Sequence, residues 1–229
     1  MSEIAENLKR VQDRVVRAAE RSGRSVDAIT LIAVTKTWAA DVVQQVVEAG
    51  ALILGENRVQ EVEKKADLVT GPVSWHLIGH LQRNKVKVAL SLFDLIHSVD
   101  SMRLAQEINR RAEQTNVIAR VLVQVNASGE DSKYGVSPDA ALDLVGQVSE
   151  LIHVKIEGLM TIGAFVPDPE DARPNFMALR KVRDHIATQM PQVLMQTLSM
   201  GMTNDFEVAI EEGATMVRVG TAIFGRRAV

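Results

Sequence analysis

Leu31-Ile32-Ala33-Val34-Thr35-Lys36-Thr37-Trp38 decides how the rest of the chain is read. Its apolar residues, with β-branched Ile32 and Val34 among them, form a short run bounded by polar residues, the mark of a buried strand. The run stops at Lys36, and Val42, Val43, Val46 and Val47 follow at helical spacing up to Gly50. A buried strand feeding an amphipathic helix is the unit of a parallel sheet, whose strands are covered on both faces. Lys36 then stands at the strand end where such folds build their sites.

The unit repeats along the chain. Strands are expected at 30–34, 51–54, 73–78, 94–97, 117–125, 153–159, 195–198 and 215–219, each followed by a helical pattern. Ser98 or Asp100 is expected to cap the helix after the fourth strand. Ser137-Pro138 is expected to start the one after the fifth, and Asn204 with Glu207 to form a capping box after the seventh. An amphipathic helix, 2–21, precedes the repeats, with Ile4, Leu8, Val11, Val15 and Ala18 on one face and Ser22-Gly23 at its end. No linker or low-complexity segment interrupts the rhythm. The expected fold is one α/β domain, 1–229: a (β/α)8 TIM barrel with an additional N-terminal helix. An open doubly wound sheet is the competing architecture, but no strand runs into a Gly-x-Gly-x-x-Gly turn.

With 229 residues the chain can bury a sizeable core without cross-links. It has no cysteine, which excludes disulfides, thiolate catalysis and thiolate metal sites. The net charge of −3 gives no general attraction to nucleic acid or acidic lipid, and Arg83-Asn84-Lys85-Val86-Lys87 reads as a solvated helix face. The N-terminus lacks the pattern of a signal peptide, and no apolar stretch is long enough to span a bilayer. The expectation is a cytoplasmic monomer with neither nucleic-acid nor membrane partners.

The polar residues at the expected strand ends define the candidate site. Ser199-Met200-Gly201 and Gly220-Thr221 follow strands seven and eight, the usual phosphate position in such barrels. Small residues there let backbone N–H groups approach an anion. With a phosphate held in the barrel mouth, Lys36 becomes a candidate to form an imine with an aldehyde; the bland alternative is an ion pair with a neighbour such as Glu56. Arg218 either pairs with a carboxylate or faces an aromatic nitrogen of a cofactor, which it would keep unprotonated. Asn57 either donates to a ring hydroxyl or caps its helix. His80 and His97 read as acid–base residues or as capping and supporting groups. The histidines show no metal-ligand spacing.

These features together resemble the pyridoxal phosphate homeostasis protein family, single-domain proteins built on the fold-type III, alanine-racemase-like barrel. The matching stretches are Ala33-Val34-Thr35-Lys36-Thr37, Gly55-Glu56-Asn57, His76 to Lys85, Ser132-Lys133-Tyr134-Gly135, Gly158-Leu159-Met160, Leu198 to Met202 and Arg218 to Gly225. Thr35 and Thr203 stand where the family often has serine, and Trp38 replaces a smaller neighbourhood after the lysine. The resemblance implies pyridoxal 5′-phosphate (PLP) held as an imine of Lys36. It also implies a phosphate grip from Ser199, Gly220 and Thr221 with the backbone of Met200 and Gly201, Arg218 at the pyridine nitrogen, and Asn57 near the ring. The implied role is vitamin B6 and amino-acid homeostasis without established turnover, with apo PLP-enzymes or free amino acids as partners.

Two other functions are weighed. A racemase needs two bases on opposite faces of the cofactor, and the second would be Tyr134 or His80. Against it, the related racemases carry a β-domain, and few residues follow Val219. An aldolase-like barrel would use Lys36 directly on a phosphorylated sugar, but gives Arg218 no role. Lys133 and Lys85 are further candidates for a secondary acceptor lysine.

Overall fold

The computed structural model describes residues 2–130 and 132–225. Eight parallel strands close in sequence order, β1 pairing with both β2 and β8. They are β1 Thr30–Val34, β2 Ile53–Glu56, β3 Ser74–Leu77, β4 Leu95–Val99, β5 Ala119–Gln124, β6 Val154–Met160, β7 Thr197–Ser199 and β8 Met216–Val219. Among the described residues the α-helices are α1 Glu3–Arg21, α2 Ala40–Glu48, α3 Val59–Glu63, α4 Val86–Leu92, α5 Met102–Gln114, α6 Ala141–Ser149, α7 Arg173–Gln189, α8 Phe206–Glu211 and α9 Thr221–Phe224. The barrel and the additional N-terminal helix are as expected.

Packing follows from strand alternation. Outward residues such as Ala33, Leu54, Leu77, Ile96 and Val217 join the helices in one continuous core. Inside the barrel Leu95, Leu122 and Met160 form a separate apolar cluster against Ile162 and Met216. Helix α1 starts at Ser2, whose Oγ accepts the Ala5 N–H, and lays Leu8, Val11 and Val15 into the outer core. Each such side chain contributes about 1.5–3 kcal/mol on burial. Polar contacts fix its register: Asn7 Nδ2 donates to Ile223 O at 3.0 Å, and Arg14 pairs with Glu207 at 2.7 Å while lying over the Phe206 ring.

The departures from the expected boundaries have one main cause. β2 runs on through Gly55 and Glu56, β4 through Ser98 and Val99, and β7 through Ser199. Glu56 and Ser199, read as the start of a loop, are strand residues because the fold supplies them with buried partners; Ser98 is buried too, but its hydroxyl has no partner among the described residues. Three helix starts also differ. Asn204 does not cap α8; its intended partner Glu207 is taken by Arg14, and Asp205 closes the turn by accepting the Met202 N–H at 2.6 Å. Ser101, not Ser98 or Asp100, precedes α5, without a side-chain cap. Ser137 accepts the Ala140 N–H in a turn, and α6 begins only at Ala141.

Candidate functional site

A cavity of about 680 Å³ opens at the C-terminal ends of the strands. Lys36, Asn57, Arg218, Gly220 and Thr221 all line it, so residues far apart in sequence converge as expected. His80, Gln124, Tyr134 and the 202–205 turn complete the polar wall, and Ile78, Ile162, Phe165 and Val166 supply an apolar one. Phe165 is 89 % exposed, so it rims the mouth rather than filling the chamber. Among the described residues no helix is long and apolar enough to cross a membrane, and no cluster of ligating side chains suits a metal.

Lys36 lies in the turn after β1, half-buried, and among the described residues its amine has neither a hydrogen bond nor an ion pair. The alternative pairing with Glu56 is absent because Lys65 takes that carboxylate at 2.5 Å. Lys133, by contrast, is engaged by Glu130 at 2.5 Å and by Gly163 O at 2.9 Å. Lys85 lines a neighbouring cavity of about 690 Å³ that shares Asn57, Gly79, His80 and Tyr134 with the first.

Arg218 sits on the inward side of β8, buried, and reaches into the cavity floor. Its guanidinium donates to Ser199 Oγ at 2.6 Å and to Thr161 O at 2.7 Å. Behind it, Ser199 Oγ meets His97 Nδ1 at 2.9 Å, and His97 Nε2 meets His76 Nδ1 at 3.1 Å. Burial lowers Arg218 to about 10, opposed by Asp205, so it stays charged at neutral pH. Burial also pushes His76 down to about 4 and His97 well below the ordinary range, the latter helped by repulsion from His76, were both rings charged, and from the Arg218 charge. Arg218 is thus the cation of a chain otherwise made of neutral groups.

Ser199, Met200 and Gly201 are placed differently from the expectation. Ser199 is fully buried with its hydroxyl committed to Arg218 and His97, and the Met200 side chain is core. Gly201 holds φ +89°, and a Cβ there would lie 2.5 Å from Ala209 Cβ and 2.9 Å from Phe206 Cα. These residues support the wall from behind; Met202 to Asp205 line the cavity itself. The amides of Thr203, Asn204, Gly220 and Thr221 donate to no protein acceptor among the described residues. Together with the Thr203 and Thr221 hydroxyls they form a donor-rich patch suited to an anion. At Gly220 a Cβ would stand 3.3 Å from Val34 O, so a side chain there would crowd the turn.

His80 and Tyr134 stack with centroids 4.0 Å apart and planes at 14°. Asp100 Oδ2 lies 3.4 Å from His80 Nδ1, and Gln124 Nε2 donates to Tyr134 O at 3.0 Å. Gln124, Thr203 and the Ile162–Val166 segment are functional-site candidates that the pattern of strand ends did not bring out. Gln124 lies within an apolar run, and only its alternation with Leu122 marks it as inward.

Comparison with known proteins agrees with this geometry. Residues 2–228 match the family model described as alanine racemase, N-terminal domain. The chain is 45 % identical over 223 residues to the pyridoxal phosphate homeostasis protein of Aquifex aeolicus, covering 97 % of each chain. It is 41 % identical over 235 residues to that of Escherichia coli K12, covering 99 % of this chain and 98 % of the other. Among solved structures, PipY of Synechococcus elongatus with PLP bound superposes with a TM-score of 0.83 at 36 % identity, over 97 % of this chain and 100 % of that one. Matches of that identity and coverage, on a closed barrel with a lysine, an arginine and free amides around one cavity, make this chain a member of the pyridoxal phosphate homeostasis protein family, within the wider family of the alanine racemase N-terminal domain.

Proposed function

We propose that this protein binds PLP in the barrel-mouth cavity as an imine of Lys36 and serves PLP and vitamin B6 homeostasis as a holder rather than a catalyst. The observation that carries the reading is the Lys36 amine, unpaired among the described residues, in a cavity that also presents Arg218 and the Gly220 and Thr221 amides, likewise without an acceptor there. The residues fit the group by their chemistry. A primary amine can take an aldehyde, free amides and hydroxyls can take a phosphate, and a guanidinium can face a ring nitrogen. Bound PLP would supply an electron sink. Arg218, charged at neutral pH and unable to act as an acid there, would leave the ring nitrogen unprotonated and that sink weak. PipY, a relative of similar length, has been solved with PLP bound.

On this reading Lys36 holds the aldehyde carbon and Asn57 lies beside the ring. Gly220 and Thr221, with Thr203 on the facing turn, hold the phosphate. Ser199, Met200 and Gly201 contribute by shaping that turn and by fixing Arg218. The protein acts in the cytoplasm as a monomer, exchanging PLP with free pools or with apo PLP-enzymes. Borohydride reduction followed by peptide mapping is expected to place a pyridoxyl group on Lys36. Lys36→Ala is expected to abolish the imine absorption and leave the melting temperature near that of the wild type. Label on another lysine, or none, defeats the reading.

A second reading, an amino-acid racemase-like activity, draws on one observation: Tyr134 and His80 line the same cavity as Lys36. It predicts exchange of the Cα proton of alanine or another amino acid in deuterated water at enzyme-like rates. The holder reading predicts none.

A further inference from the structure

The turn that carries Lys36 is held by charged groups that do not line the Lys36 cavity. Lys65 is buried, and its ammonium is met on three sides: by Glu56 Oε1 at 2.5 Å, by Thr35 O at 3.0 Å and by Trp38 O at 3.2 Å. Those two carbonyls bracket Lys36 and Thr37. Thr35 O also accepts the Trp38 N–H at 3.1 Å, which closes the turn. Glu56 Oε1 takes the Thr35 hydroxyl at 2.5 Å, and Glu61 Oε2 takes the Thr37 N–H at 2.5 Å. Thr37 itself has φ +66°, a conformation that β-branched residues rarely hold. The far end of the turn is pinned by Trp38 stacked on Phe224.

This arrangement is costly unless it does something beyond stability. Glu56 and Lys65 are both buried, Glu56 Oε2 has no partner among the described residues, and buried ion pairs seldom stabilise a fold relative to apolar replacements. Strained backbone of this kind persists only where its surroundings over-determine it. We propose that Lys65, oriented by Glu56 and assisted by Glu61, is a positioning residue for Lys36: it fixes the strained turn so that the Lys36 amine faces the cavity. The proposal rests on the reading that Lys36 forms the imine. It also explains why a second lysine so near in the fold does not compete. All three Lys65 ammonium hydrogens have acceptors, so the group is committed to holding the turn.

The test compares wild type, Lys65→Met and Glu61→Ala with two probes, PLP and pyridoxine 5′-phosphate, whose alcohol cannot form an imine. The Lys65→Met variant is expected to form the imine about tenfold or more slowly and to trap less pyridoxyl group on Lys36 with borohydride. Glu61→Ala is expected to show a smaller loss in the same direction. Both are expected to bind the alcohol as the wild type does and to exchange the Thr37 and Trp38 amide hydrogens faster. Imine formation by Lys65→Met at the wild-type rate overturns the proposal. So does an equal loss of affinity for aldehyde and alcohol, which would mean general collapse of the cavity. A pyridoxyl group on Lys65 overturns it as well. If Lys65→Met does not fold, Glu61→Ala decides alone, since Glu61 lies near the surface. A wild type that leaves Lys36 unlabelled defeats the imine reading itself, and that failure appears before any substitution is made.

Discussion

Arg218 donates through Nη1 to Ser199 Oγ at 2.6 Å, and this bond joins it to the hydrogen-bonded histidines behind it. A guanidinium has donors only, so Ser199 Oγ accepts from Arg218, and turning the hydroxyl proton to His97 Nδ1 is the arrangement that leaves no donor of this chain of bonds unused. His97 then carries its proton on Nε2 and donates to His76 Nδ1. Both rings are neutral and of one tautomer, and the chain delivers Arg218 to the cavity floor in a fixed orientation.

Ser199→Ala breaks this chain at its centre. It leaves an Arg218 N–H and the His97 Nδ1 lone pair buried without partners, a cost of about 1–3 kcal/mol. Urea denaturation is expected to show that loss as a lower midpoint with an unchanged slope. If Ser199 acted mainly on the phosphate, the apo protein would keep its stability and only PLP affinity would fall.

The histidines also predict how stability depends on pH. Burial holds His76 at about 4, against about 6.5 for an exposed histidine, and His97 shifts in the same direction. Between those values the unfolded chain binds more protons than the folded one, so stability falls as pH drops from about 6.5 towards 4. The part owed to His76 amounts to about 3 kcal/mol at most. Melting temperatures measured across this range are expected to decline steadily, and His76→Gln is expected to decline less steeply. A profile that is flat down to pH 4 would contradict the neutral pair.

Gly201 is the position where a single methyl group matters most for the wall of the site. Its φ of +89° and the 2.5 Å approach of a Cβ to Ala209 leave no room for alanine. Gly201→Ala is expected to push α8 outward, to cost about 1–3 kcal/mol and to weaken phosphate binding, because Met202 to Asp205 move with it. Equilibrium unfolding and inorganic phosphate competition measure the two effects separately. Wild-type behaviour in both would mean that the turn relaxes freely.

The barrel and its site were legible in the sequence to different depths. Apolar runs and helix periods report burial on two faces, and that fixed the order of strands and helices from Thr30 to Val219. Strand ends were less legible, because Glu56 and Ser199 look like loop residues, and His97 like the last residue of its strand, until their partners are known. Those partners, Lys65, His76 and Arg218, come from other parts of the chain. Lys36, Asn57, Gly220 and Thr221 converge as their strand-end positions imply. Ser199 was the reverse case. A hydroxyl next to glycine after strand seven suggested an anion ligand, whereas its inward register on β7 gives it to Arg218. No local pattern distinguishes the two, since the difference is one of side-chain direction within a closed barrel.

The His80–Tyr134 stack separates the Lys36 cavity from its neighbour, and both rings line both spaces. Its two sides are tied down, His80 towards Asp100 and the Tyr134 backbone by Gln124. The stack therefore acts as a partition over the site, held by ring area rather than by the phenol hydroxyl. Tyr134→Phe keeps that area and is expected to release PLP at the wild-type rate. Tyr134→Ala removes it and is expected to release PLP about two- to tenfold faster, the range a stacked pair is worth, while Lys36 still forms the imine. Stopped-flow transfer of PLP to an excess of an apo-enzyme reads the rate. Were the hydroxyl instead a base for Cα proton exchange, Tyr134→Phe and Tyr134→Ala would behave alike, and the measurable loss would appear in deuterium exchange rather than in release.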